Sequence, residues 1–161
     1  MTTRPDPVRD ADPEALALAR SLLAGATYAA LAVTDPADGL PGISRIAFGL
    51  GPEGMPMTLI SSLSTHHGAL RADPACALMV GEPGEKGDPL THPRLMVKAR
   101  AVFVAQDAPE RAALRDHWLK AHPKAKLYVD FGDFGFVRFA PVSILLNGGF
   151  GKAFRIDPSA L

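Results

Sequence analysis

The stretch "LISSLSTHHGALRADPACALMV", residues 59–80, decides the reading of the fold. An apolar run closes in Ser61 and Ser62. A polar link carries Ser64 and Thr65. The adjacent pair His66 and His67 then stands at the start of a short helix over about 65–72, closed by "ADP" (72–74). A second apolar run, "ACALMVGE" (75–82), reads as the next strand. A helix N-terminus presents unpaired N–H groups and partial positive charge. With hydroxyls before it and imidazoles on its first turn, this one is a candidate phosphate cradle, the histidines adding donors, and charge when protonated. The competing reading is that Ser64 or Thr65 merely caps the helix and the histidines lie on the surface.

Working outward, "TYAALAVT" (27–34) reads as a buried strand, "GISRIAFGL" (42–50) as a second and "MTLISS" (57–62) as a third, joined by the turns "DPADG" and "GPEG". Asp12 and Pro13 form an N-cap and a first helical proline for a helix that shows one apolar face (Leu16, Ala19, Leu22, Leu23) and stops at Gly25. Beyond the loop 83–93, "RLMVKARAVFVAQ" (94–106) reads as a long strand. Asp107 and Glu110 predict a capping box over a helix 108–122, with Leu114, Trp118 and Leu119 facing the core. Residues 134–156 give two or three closing strands around Pro141 and the Gly148–Gly149 break. Adjacent strands with short turns argue antiparallel pairing rather than a parallel doubly wound sheet. The expected class is mainly β (α+β): an antiparallel split β-barrel of six to seven strands with three helices. Residues 1–11 read as a flexible N-terminal arm and residues 12–161 as a single domain.

The chain has 161 residues, 17 basic and 17 acidic side chains and zero net charge. That balance argues against a nucleic-acid partner, which would need a basic excess. No window approaches the roughly 18 apolar residues of a membrane span, and the N-terminus lacks a signal-type apolar core. The expected location is the cytoplasm. The single cysteine, Cys76, sits in "CALMV" and reads as a small buried hydrophobe. His92, His117 and His122 lack metal-ligand spacing, so no metal site is expected.

Two further segments carry chemistry. In "GISRIAFGL", Ile43, Arg45 and Ala47 share one strand face, and an arginine there calls for an anionic partner. "NGGFGKAF" (147–154) fails the P-loop spacing, because Asn147 and Ala153 stand where a glycine and a hydroxyl are needed. Its glycines instead suit close backbone approach to a flat ligand or a neighbouring chain. Ile144, Leu145, Leu146, Phe150 and Phe154 add more apolar surface than the core of one chain would absorb, which points to an interface.

Taken together, "GISRIAF", "LISSLSTHHGALRADPACALMV", "GDPLTHPRLMVKARAVFV" and "NGGFGKAFRI" resemble the pyridoxamine-5′-phosphate-oxidase-like FMN-binding split barrels, and within them the haem-utilisation (HugZ-like) branch, over about residues 14–156. The resemblance implies a homodimer with FMN at the subunit interface and a flavin-dependent oxidoreductase activity. It implies that Arg45, with backbone around Ile46 and Ala47, lines the flavin site. Ser61, Ser62, Thr65, His66 and His67 fall where the family grips the ribityl and phosphate groups, and two histidines replace its frequent Arg-Lys. Phe150 and Lys152 would approach the flavin from the partner chain. The rival readings are a haem-binding or haem-degrading protein of HugZ type, and a non-enzymatic flavin- or partner-binding module.

Overall fold

The computed structural model describes residues 6–161. The elements run β1 (Val8–Asp10), α1 (Pro13–Gly25), β2 (Tyr28–Thr34), β3 (Pro41–Ala47), β4 (Gly49–Leu50), β5 (Pro56–Ser61), α2 (Thr65–Ala72), β6 (Ala75–Val80), β7 (Arg94–Phe103), α3 (Arg111–Ala121), β8 (Phe134–Asn147) and β9 (Ala153–Ile156). All nine strands belong to one sheet, ordered β1-β9-β8-β7-β6-β2-β3, with β5 attached to β8 and β4 to β5. The split-barrel class with three α-helices is as the sequence predicts, but the sheet is open and mixed, and among the described residues it has nine strands rather than six or seven. The extra strands come from two places. Phe48 turns fully inward and interrupts the second strand, leaving Gly49–Leu50 to pair with β5. Val8–Asp10, expected within a loose arm, pair in parallel with Ala153–Arg155. Residues 1–5 of that arm lie outside the described residues.

β8 positions the rest. Its first half pairs with β5 and its second half with β9, while β7 runs along both. The β7–β8 register shifts between Lys98 and Ala99, opposite Ser143 and Pro141, so Val142 is an extra residue on β8. A proline is tolerated at such a bulge because the ladder is already broken there. α1 starts as its sequence predicts: the Asp12 carboxylate accepts the Ala15 N–H at 2.8 Å. α3 does not. It begins at Arg111 with Glu110 in helical conformation and no side-chain cap. Glu110 reaches Arg138 at 3.6 Å instead, an ion pair that spends the carboxylate the capping box needed.

Two apolar clusters result. One fills the barrel beneath α1, around Leu31, Phe48, Leu78, Leu95, Val97, Phe139 and Leu146. The other gathers Met57, Leu114, Trp118, Val129 and Phe136 under α3. Thr58, fully buried, donates to the Ala47 carbonyl at 2.6 Å and ties β5 to the end of β3. Ile144 and Leu146, expected to be surplus, are core residues. Gly149, at φ +122°, lies against the Thr91 carbonyl of its own chain, where a Cβ would come within 3.0 Å. No helix among the described residues is long and apolar enough to cross a membrane.

Candidate functional site

Two grooves flank the start of α2. The first, about 350 Å³, is lined by Arg45, Ile46 and Ala47 of β3, by Ser61 of β5, by Ser64 and His66, and by Tyr128 and Phe134. Strand alternation explains the β3 wall. Ile46 is buried, so Arg45 faces outward with Ile43, and its guanidinium lies 5.4 Å from the centre of the Tyr28 ring. Arg45 has no carboxylate partner among the described residues. An anion-seeking side chain thus stands at a groove with its charge uncommitted.

α2 divides the histidine pair. His66 lines the first groove. His67 faces a second groove of about 210 Å³ with Ser62, Arg71, Phe103, Gln106 and Asp133. There its ring meets the Phe103 ring edge-on at 5.0 Å, and the Arg71 guanidinium lies 3.9 Å from the centre of that ring. Burial, and secondarily the neighbouring His67, push the His66 pKa below the ordinary imidazole value. Burial, then Arg71, does the same to His67. Both imidazoles therefore favour the neutral form, an electron-pair donor rather than a phosphate-binding cation.

The hydroxyls are largely engaged. Ser61 Oγ donates to Asp133 Oδ2 at 2.6 Å and accepts the Leu63 N–H at 3.1 Å. Ser64 Oγ donates to the Ser61 carbonyl at 2.7 Å and, as N-cap of α2, accepts the His67 N–H at 3.4 Å. Ser62 and Thr65, both exposed, make no side-chain hydrogen bond among the described residues. Of the residues expected to form one site, Arg45, Ile46, Ala47, Ser61 and His66 share the first groove, while Ser62 and His67 line the second. Lys152 lines a different groove beside Arg9, Asp12 and Glu14, and Phe150 is exposed on the β8–β9 loop. Within one chain, neither meets Arg45. Tyr128, Asp133 and Phe134 were not anticipated. The dense aromatic, aspartate and glycine run "YVDFGDFGF" (128–136) is the signal that could have drawn attention to them. Another concavity, about 380 Å³ between α1 and the β4–β5 turn, is chiefly apolar and contains none of these groups.

A split barrel with an arginine- and histidine-lined groove at the end of its sheet is the class that fold and geometry define. The chain belongs to the pyridoxamine 5′-phosphate oxidase family, whose pattern matches residues 16–147. It is 35% identical over 117 residues to the chloroplastic haem oxygenase HOZ of Arabidopsis thaliana, covering 73% of this chain and 35% of that protein. The chain thus spans about a third of that curated relative. Among solved structures it is similar to a haem-binding protein from Mycobacterium smegmatis (28% identity, TM-score 0.81, 93% of this chain and 60% of that one). It is also similar to Atu2129 of Agrobacterium tumefaciens, of unknown function (31% identity, TM-score 0.82, 94% and 61%). HutZ of Vibrio cholerae, a haem storage protein, shares the fold at 21% identity and TM-score 0.74, covering 84% of this chain and 97% of that one.

Proposed function

We propose that this chain binds haem in the Arg45–His66 groove, as part of a homodimer. The observation that carries the reading is a half-buried imidazole, held toward its neutral form, in the same groove as an arginine that has no carboxylate partner among the described residues. His66 would offer a lone pair to iron and Arg45 a cation to a propionate, with the Tyr128 and Phe134 rings, tilted 41° to each other, as an aromatic wall. A bound haem would supply iron-centred ligand-binding and redox chemistry. The chain's own task is to bind the macrocycle, orient it and limit water on its apolar faces. The similarity to HOZ and to the mycobacterial haem-binding protein supports the same ligand.

The groove of one chain is open, and at about 350 Å³ it lies near the low end of the roughly 300–1,000 Å³ of small-molecule sites. A second copy is the natural cover. The outer face of the sheet supports this. Register places Ile43, Ala32, Ala77, Lys98 and Ser143 in one row across five strands, and Arg45, Ala30, Met79, Met96, Leu145 and Arg155 in the next across six. Ile43 is 77% and Met79 48% exposed. A face with small and apolar residues at its centre and Arg45, Lys98 and Arg155 around them fits a like face, and an assembly built on it would bury about 2,000 Å² or more. Phe150 and Lys152 of the partner subunit are then available to the site.

An FMN-dependent oxidoreductase is the second reading, favoured by the family match and by the Ser62 and Thr65 hydroxyls at the start of α2. The absorption spectrum of the protein purified and titrated with each ligand decides. A Soret band that is lost or shifted in His66→Ala is the expected result. A two-band flavin spectrum, with no Soret band on haem addition, refutes the haem reading.

A further inference from the structure

The turn before β8 reaches back to the start of α2 from 72 residues away in sequence. It is rigidly held. Arg111 Nη2 donates to the Val129 and Phe134 carbonyls at 3.1 and 3.2 Å, and Gln106 Nε2 donates to Phe134 O at 2.7 Å. At its tip Asp133 does two things. Its side chain accepts a hydrogen bond from Ser61 Oγ at 2.6 Å, and its carbonyl accepts one from the Ser62 N–H at 2.7 Å. Ser64 Oγ is spent on Ser61 O. Three of the donors on this side of α2, the Ser61 and Ser64 hydroxyls and the Ser62 N–H, therefore already donate to protein oxygens, which leaves the exposed Ser62 and Thr65 hydroxyls as the side-chain donors a phosphate would meet beside Asp133. A carboxylate stands among them, opposing any second anion.

We propose that Asp133 is a specificity-determining residue that excludes phosphate-tailed ligands, such as FMN, from the start of α2 and leaves anion recognition in the groove to Arg45. The inference rests on, and deepens, the haem reading: it says why a chain of a phosphate-binding family would prefer a ligand whose anionic groups can reach Arg45 without meeting α2. With Ser61 donating to Asp133 and accepting from Leu63, the groove presents a serine lone pair where a phosphate oxygen would need a donor. An asparagine at position 133 removes the charge and offers an amide donor in nearly the same volume.

The test is the ratio of FMN to riboflavin affinity, which isolates the phosphate, measured by fluorescence quenching. For the wild-type protein, FMN should bind no tighter than riboflavin. Asp133→Asn should bind FMN at least about tenfold tighter than riboflavin, while its haem affinity stays within about threefold of wild type. Asp133→Ser, smaller and neutral, serves as a second variant should Asp133→Asn fail to fold. Wild-type protein that already favours FMN by about tenfold overturns the proposal, as does a folded neutral variant whose ratio is unchanged or that still binds no FMN. The haem arm is read separately. A wild-type protein with no Soret band defeats the haem reading, and the flavin ratios still judge Asp133.

Discussion

Replacing Arg45 with alanine separates its role in binding from its role in the fold. In the fold it contributes little. The guanidinium is exposed, has no carboxylate partner among the described residues, and lies 5.4 Å from a Tyr28 ring that is itself 41% exposed. Exposed cation–π contacts contribute about 0.5–1 kcal/mol, so the melting temperature of a chain this size should fall by no more than about 2–4 °C. In binding it should matter more. A hydrogen bond to a charged group is worth about 1.5–3 kcal/mol, which at 1.4 kcal/mol per decade is a loss of about 10- to 150-fold in haem affinity. Arg45→Lys should recover only part of this, because a lysine keeps the charge but not the planar fork or the stacking on Tyr28. The assay is a Soret titration of each variant alongside a thermal melt. Unchanged haem affinity in an Arg45→Ala protein that melts like wild type refutes the assignment of this groove. A melting temperature lowered by 10 °C or more refutes the claim that Arg45 is structurally idle.

The pH dependence of stability follows from the histidine pair. His66 and His67 have pKa values below the ordinary imidazole value, so near and below pH 6.5 the unfolded chain binds more protons than the folded one. The ligand-free protein should hold its stability above about pH 6.5 and lose it as pH falls below that value. His66→Gln/His67→Gln should flatten this part of the curve in denaturant titrations, and a double variant with the wild-type slope contradicts the sign. Ile43→Asp, on the exposed outer face, should shift sedimentation toward the monomer and weaken haem binding together; a variant that remains dimeric removes that face from the interface. Gly81→Ala should destabilise by more than about 1 kcal/mol, because φ is +99° and the new Cβ would fall 2.6 Å from the Pro93 carbonyl; a chemical denaturation midpoint equal to wild type would show that the loop between β6 and β7 yields freely.

What the amino-acid sequence determined by itself is what acts over a few residues. Period-two alternation placed Arg45 on the opposite face of β3 from Ile46, Asp12 and Ser64 announced the starts of α1 and α2, and Gly–Pro turns separated β2, β3 and β5. These depend on backbone sterics and on side chains bonding to their own neighbourhood, so they are readable without the fold. The order of four motifs was enough to name the family. Only the tertiary structure decided which of those groups meet. The helical turn between His66 and His67 puts the two rings in different grooves, although in sequence they look like one site. Glu110 abandons a helix cap for Arg138 on β8. Val8–Asp10 become a parallel edge strand because β9 is there to receive them. Asp133, 72 residues from Ser61, accepts the hydrogen bond of the serine that seemed ready for a phosphate. Each of these is a competition between a local partner and a distant one. The distant partner wins where folding has already brought it within hydrogen-bond or ion-pair reach, because the entropy of closing the loop is then offset by the burial of the whole barrel.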